Sequence, residues 1–136
     1  MTDVLTKAQR RHCMSSIRDR DTKPEITVRK WLWANGFRYR LRGKLPGKPD
    51  IVFPGQRKVI FIHGCFWHCH HCRFFKWPGT NTTFWREKIT GNVERDKRNR
   101  AALKKAGWKV LVVWECETKS VAQRTLWRRI RRFGEN

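Results

Sequence analysis

Seven side chains able to ligate a metal lie within ten consecutive positions of this chain: His63, Cys65, His68, Cys69, His70, His71 and Cys72. Phe66 and Trp67 stand among them. Thiolate and imidazole are preferred ligands of Zn²⁺, an ion with no geometric demands of its own. A packed core has no reason to concentrate such groups, so the fold must deliver this segment as a metal-braced loop. A tetrahedral site cannot use all of them, and the remainder are expected to serve another purpose. Cys69 and Cys72 have the spacing of a common zinc-loop pair. Cys116 is placed either to close the site from far along the chain or to sit as a small buried hydrophobe. Cys13 is read as non-ligating. Spacing alone leaves the ligand set open.

The local signals around this segment describe one α/β domain of 136 residues. A short basic helix is expected over residues 6–19. A second begins at Thr22, with Pro24 in its first turn, Glu25 at the capping-box position and Gly36 closing it. Residues 37–42 alternate apolar and basic as a half-exposed strand does. Residues 45–49 form a turn, residues 50–54 a short strand, Pro54 and Gly55 the next turn, and residues 58–63 a buried strand. The ligand-rich segment therefore starts where that strand stops. Trp85, Ile89 and Val93 recur every four residues on a long helix that reaches about Ala106 and ends at Gly107. Residues 108–114 are the most apolar run and are expected to be a central strand. Leu126, Ile130 and Phe133 mark a final basic helix within residues 118–136. The order is α-α-β-β-β-α-β-α, a mixed α/β layer fold.

Charge selects the partner. Thirty-two Lys and Arg against eleven Asp and Glu leave a net charge of +21. Self-repulsion on that scale is tolerated where a polyanion neutralises it, and nucleic acid is the expected partner. A membrane role is not expected, because no apolar stretch reaches spanning length and the basic residues are not gathered on one amphipathic anchor. The N-terminus lacks the apolar core of a signal peptide, so a cytoplasmic location is expected, where clustered cysteines suggest metal ahead of disulfides. The eight Trp and eight Phe divide between core packing and base stacking in a ratio that their number does not reveal.

Carboxylates are scarce, so their settings carry information. Asp50 lies between Pro49 and the apolar Ile51, Val52 and Phe53. A carboxylate at a strand mouth suits Mg²⁺ in phosphodiester hydrolysis, and an Asp in that setting equally suits a turn. Glu25 is a capping partner or a functional group. His63 and His68 are candidates for proton transfer, zinc ligation or the support of a ligand.

Several strings, taken in order, carry a family resemblance. They are Pro49-Asp50, the strand 59–63, Gly-Cys-Phe-Trp-His at 64–68, Phe-Trp-Arg-Glu-Lys-Ile at 84–89, Asn-Val-Glu-Arg-Asp at 92–96 and Val-Trp-Glu-Cys at 113–116. Together they resemble the very-short-patch (Vsr) mismatch endonucleases from about residue 8 to residue 116. The final helix matches only loosely. The resemblance implies a restriction-endonuclease-like fold, a mixed sheet flanked by helices, and a Mg²⁺-dependent nick on the 5′ side of the thymine in a T:G mismatch. It implies a monomer acting on double-stranded DNA at the bacterial nucleoid, and leaves recruitment by other mismatch-repair proteins open.

Position by position, Asp50 resembles the catalytic metal-binding carboxylate and His68 the general base. His63 would support the site, and Glu25 would orient groups within it. Cys65, His70, Cys72 and Cys116 resemble structural zinc ligands. Phe66, Trp67 and Trp85 resemble aromatics inserted beside the mismatch. Met14 and Ile17 match a minor-groove wedge on an N-terminal helix within residues 1–20. Two positions depart from the pattern. Ile62 stands where Thr is frequent, and would still offer its backbone carbonyl to Mg²⁺. Cys69 stands where His is frequent. Two other functions share the charge, the zinc loop and the aromatics: a zinc-stabilised nucleic-acid-binding module without catalysis, and a restriction-type nuclease without mismatch preference.

Overall fold

Thr22 begins the first described helix as the sequence requires, its Oγ1 accepting the Glu25 N–H at 3.4 Å. The structure, a computed structural model, describes residues 22–41, 44–70, 72, 76–119 and 122–135. The expected helix over 6–19, with Cys13, Met14 and Ile17, lies outside the described residues, as does His71. Helix α1 spans Lys23–Ala34 with Pro24 in its first turn. It closes in a Schellman turn: Gly36, at φ +86°, donates to the Trp33 carbonyl, and Phe37 donates to Leu32. Glu25 is buried, and its carboxylate pairs with Arg29 one turn on at 3.4 Å.

Among the described residues, four strands form one sheet in the order β1-β2-β3-β4, where β1 is Arg40–Leu41, β2 Ile51–Phe53, β3 Lys58–His63 and β4 Lys109–Trp114. Strands β1, β2 and β3 run antiparallel in sequence, and β4 lies parallel to β3. A 3-10 turn at Pro54–Gln56, with Arg57 in the left-handed region at φ 55°, links β2 to β3. Helix α2, Thr82–Lys105, makes the crossover from β3 to β4 and stops before Gly107 at φ +91°. Helix α3 is Gln123–Glu135. The chain is thus a mixed sheet with helices packed against it. Among the described residues, no helix is long and apolar enough to cross a membrane.

Two expectations change. The strand expected over 37–42 leaves out residues 37–39 and is described at Arg40–Leu41, because Phe37 turns inward to stack on Trp31 (centroids 6.2 Å) and meet Phe53 edge-on. Strand β4, expected at the centre, is an edge of the sheet among the described residues, and β3 is interior. The apolar run of β4 reflects helices covering its two faces, and such cover does not require a strand on each side.

Period-two alternation sorts the strand residues between two cores. Ile51, Phe53, Ile60 and Val113 pack with Val28 and Leu32 of α1 and with Leu126 and Ile130 of α3. Val52, Val59 and Phe61 face the other way, onto Leu103 of α2. Each fully buried aliphatic side chain is worth about 1.5–3 kcal/mol against exposure. Buried Lys58 faces the α3 side and donates from Nζ to the Phe133 carbonyl at 2.7 Å, a cation at a helix C-terminus. Gly134 of α3 leaves room for Phe37, whose ring carbon would lie 2.6 Å from any Cβ there. The same alternation turns His63, two residues after Phe61, toward α2.

Candidate functional site

The ligand-rich loop leaves β3 through Gly64 and folds on itself in a series of tight turns. His68 N–H donates to the Gly64 carbonyl (3.2 Å), His70 to Cys65 (2.9 Å) and Cys72 to His70 (2.8 Å), with Cys69 held in the left-handed region. These turns gather Cys65, His70 and Cys72 with Cys116, which the 3-10 turn Glu115–Thr118 presents just after β4. All four ligand atoms lie within 4.8 Å of one another. His70 Nδ1 is 3.5 Å from both the Cys65 and the Cys116 sulfur. Zn–S and Zn–N bonds of about 2.3 and 2.0–2.1 Å at tetrahedral angles place sulfur and nitrogen about 3.5 Å apart, so the donors fit that ion. Burial pushes the Cys65 thiol up to about 12 and raises Cys116 as well, so a cation is needed to hold both as thiolates. Cys69 and His68 are outside this set, although spacing alone admitted them.

The turn carrying Cys116 is itself braced. Glu117 accepts the Trp114 N–H at 2.9 Å and pairs with Arg129 of α3, which also donates to the Val112 carbonyl at 2.8 Å. Glu115 accepts the Cys65 N–H at 3.4 Å. The His70 ring stacks on Trp114 with centroids 4.2 Å apart.

A second cluster lies against the first. His63, His68 and Asp96 of α2 offer ligand atoms within 4.8 Å of one another. The rings of His63 and His68 stack at 3.9 Å with 6° between planes. His68 Nδ1 donates to Asp96 Oδ2 at 2.5 Å. With Nδ1 carrying the proton, Nε2 is left as the basic nitrogen. Burial raises the Asp96 carboxyl, but the hydrogen bond and charge of His68, with His63 and Arg100, outweigh it and hold Asp96 below its ordinary value. Burial, helped by His68, drives His63 down to about 3, so its imidazole is neutral near pH 7. His63 Nδ1 is buried without a hydrogen-bond partner among the described residues.

Asp50 reaches this cluster through the backbone: its Oδ2 accepts the Ile62 N–H at 2.7 Å, one residue before His63. Glu25 is buried on α1 and pairs with Arg29. Thr22 and Pro24, just ahead of it, line a cleft of about 590 Å³ together with Ile62, His63, His68 and Trp67. Phe66 also lines that cleft and closes a three-ring group with Trp67 (5.2 Å) and Trp85 (5.5 Å), the two tryptophans being 5.8 Å apart. Phe66, Trp67 and Trp85 are half-buried, and Phe84 beside them is 56% exposed.

Sequence reasoning missed Asn92 and Asp96 as site residues, although both stand in the string 92–96 that carries the resemblance. Asn92 donates to the Trp67 carbonyl at 3.0 Å, and Asp96, one turn later, takes His68. One face of α2 thus grips the loop at two points. Their spacing of four residues was the available signal.

The sequence model of the family described as DNA mismatch endonuclease Vsr matches residues 2–74. The type II nicking enzyme V.NmeAIP of Neisseria meningitidis serogroup A is 52% identical over 123 residues, spanning 90% of this chain and 88% of that protein. V.XorIIP of Xanthomonas oryzae pv. oryzae, also described as a type II nicking enzyme, is 50% identical over 86% of this chain and 87% of its own length. The DNA mismatch endonuclease Vsr of Escherichia coli is 50% identical over 85% of this chain and 75% of its own.

Proposed function

Because this chain belongs to the Vsr family of DNA mismatch endonucleases and is therefore a DNA endonuclease, we propose that it nicks one strand of double-stranded DNA on the 5′ side of the thymine in a T:G mismatch. The observation that carries this reading is His68, fixed by Asp96 on a loop whose preceding residues, Phe66 and Trp67, line the same cleft. In this reading His68 Nε2 accepts the proton of the attacking water, and Asp96 stabilises the imidazolium that forms. His63, neutral and stacked on His68, keeps a competing cation from the ring face. Phe66, Trp67 and Trp85 enter the base stack where pairing is weakest, and unstacking costs least at a mismatch. Met14 and Ile17 would insert from the opposite groove, and Glu25 would orient groups at the N-terminus of α1.

Asp50 fits Mg²⁺ by ligand chemistry, as a carboxylate fixed by the Ile62 amide on the approach to His63, with the Ile62 carbonyl as a second oxygen. When bound, Mg²⁺ supplies neutralisation of the charge that develops on the phosphate. Zn²⁺ would sit among Cys65, His70, Cys72 and Cys116 and hold the loop rigid. The same reading places the sheet in the restriction-endonuclease-like class and the protein at the DNA as a monomer.

End-labelled duplexes test the substrate. With Mg²⁺, a T:G duplex is expected to be nicked 5′ of the thymine, a T:A duplex to stay intact, and excess chelator to stop the reaction. Equal cutting of both duplexes would favour a restriction-type nuclease, and binding without any nick would favour the non-catalytic module. Asp96→Asn tests the base: it leaves a polar group beside His68 but favours the wrong tautomer. The nicking rate is expected to fall by about 10²-fold or more at unchanged duplex affinity. A parental rate would remove the pair from the chemistry.

A further inference from the structure

We propose that the groove between α1 and α3 binds single-stranded DNA at a site separate from the cleft. The two helices run side by side in the same sense. Trp31 stacks on Trp127 at 4.9 Å and 9°, and four residues further along each helix Asn35 accepts from Arg131 at 2.6 Å. Between them lies a groove of about 780 Å³ whose walls include Arg124, Arg128 and Arg131. Leu126 and Ile130 turn into the core, so these three arginines, at i, i+4 and i+7, share the outer stripe of α3. Successive members stand about 6 and about 4.5 Å apart along the helix axis.

Arg131 is already positioned, held by Asn35 and Glu135 with its guanidinium 5.5 Å over the Trp31 ring. Arg124 and Arg128 are exposed, and no carboxylate among the described residues pairs with either. Adjacent uncompensated cations repel until a polyanion neutralises them.

Three polyanions compete for this role, and shape decides among them. Duplex DNA keeps its bases stacked inside a stiff rod, so it would touch the outer arginines and leave the aromatic floor unused. An acidic peptide would likewise use the arginines and not the tryptophans. A single strand uses more of what the groove offers, with phosphates on the guanidiniums and unpaired bases against the apolar surface that Trp31 and Trp127 leave open to it. Residues 1–21 are a poor occupant, with five Lys and Arg against three Asp. The groove also begins near the cleft: Gln123, on its wall, donates to the Thr118 carbonyl at 2.5 Å, and Thr118 ends the turn that starts with cleft-lining Glu115. A strand freed at the cleft therefore has a short path to the groove. This reading rests on the proposed function only for its nucleic-acid partner and does not require cleavage.

The test is fluorescence anisotropy with a labelled oligothymidylate of about ten nucleotides, within the usual range of single-strand site sizes. Arg124→Ala with Arg128→Ala is expected to weaken binding by about tenfold and to flatten the slope of log K against log salt by about 1.4, two phosphates' worth for a single strand. An unchanged melting temperature shows that the variant is folded. Parental affinity and slope in the double variant would overturn the proposal. So would arginine-dependent capture of a polyglutamate peptide by a protein that ignores oligothymidylate, which would make the groove a protein dock. Oligothymidylate binding through Arg124 and Arg128, in a protein that fails to nick T:G duplex, would strike only the proposed function.

Discussion

An Asp50→Ala protein is expected to nick a T:G duplex at least about a thousandfold more slowly than the parent, with its affinity for the duplex nearly unchanged. Lewis-acid stabilisation of phosphate charge is worth several kcal/mol, and each tenfold in rate corresponds to about 1.4 kcal/mol. Affinity comes instead from lysines and arginines on phosphates, and the substitution touches none of them. One side effect has to be separated. Asp50 Oδ2 accepts the Ile62 N–H at 2.7 Å, and Ala leaves that amide without its acceptor. An unmet buried amide costs about 1–3 kcal/mol of stability. Asp50→Asn retains an oxygen for Ile62 and removes the charge, so it is expected to restore the melting temperature but not the nicking. Parental nicking by the Asn variant would take Asp50 out of the metal site.

Loss of one zinc ligand is expected to affect the whole protein. Zinc in small structural sites contributes an apparent stabilisation of about 10–16 kcal/mol near neutral pH, as much as an entire domain usually has in reserve. Without a cation, the loop from Gly64 to Cys72 would keep its backbone turns and its contacts with Asn92, Asp96 and Glu115, but would hold a buried neutral Cys65 thiol at the point where the four donors converge. Cys72→Ser is therefore expected to lower the melting temperature by more than about 10 °C, with bound zinc and nicking lost together. Cys69→Ser is the matched control, because Cys69 is half-buried in the same loop but stands outside the four-donor cluster. It should keep one zinc per chain and melt like the parent. Unaltered melting and full zinc content in the Cys72→Ser protein would refute the ligand set.

The legible parts of the fold were those with local causes. Thr22, Pro24 and Gly36 bound α1 because capping is decided within a few residues. The hairpin of β2 and β3 followed from apolar runs on either side of Pro54 and Gly55. The long crossover helix followed from Trp85, Ile89 and Val93, of which Ile89 is fully buried. Where position in the sheet mattered, the same reasoning failed. β4 was taken for the centre, since an apolar run reports what covers a strand and not which strands neighbour it.

By itself the chain's sequence determined its partner class, its described helices and inner hairpin, and the presence of a ligand-rich loop at the end of a buried strand, because charge, capping and ligand density are properties of short windows. Tertiary structure alone decided which donors meet, since Cys116 reaches His70 across 46 positions of chain. It also decided that Asp96, and not some other carboxylate of a heavily charged helix, takes the proton-bearing nitrogen of His68. Hydrogen bonds and metal coordination act over a few ångströms, and only the packing of α2 against the sheet brings those atoms within that range.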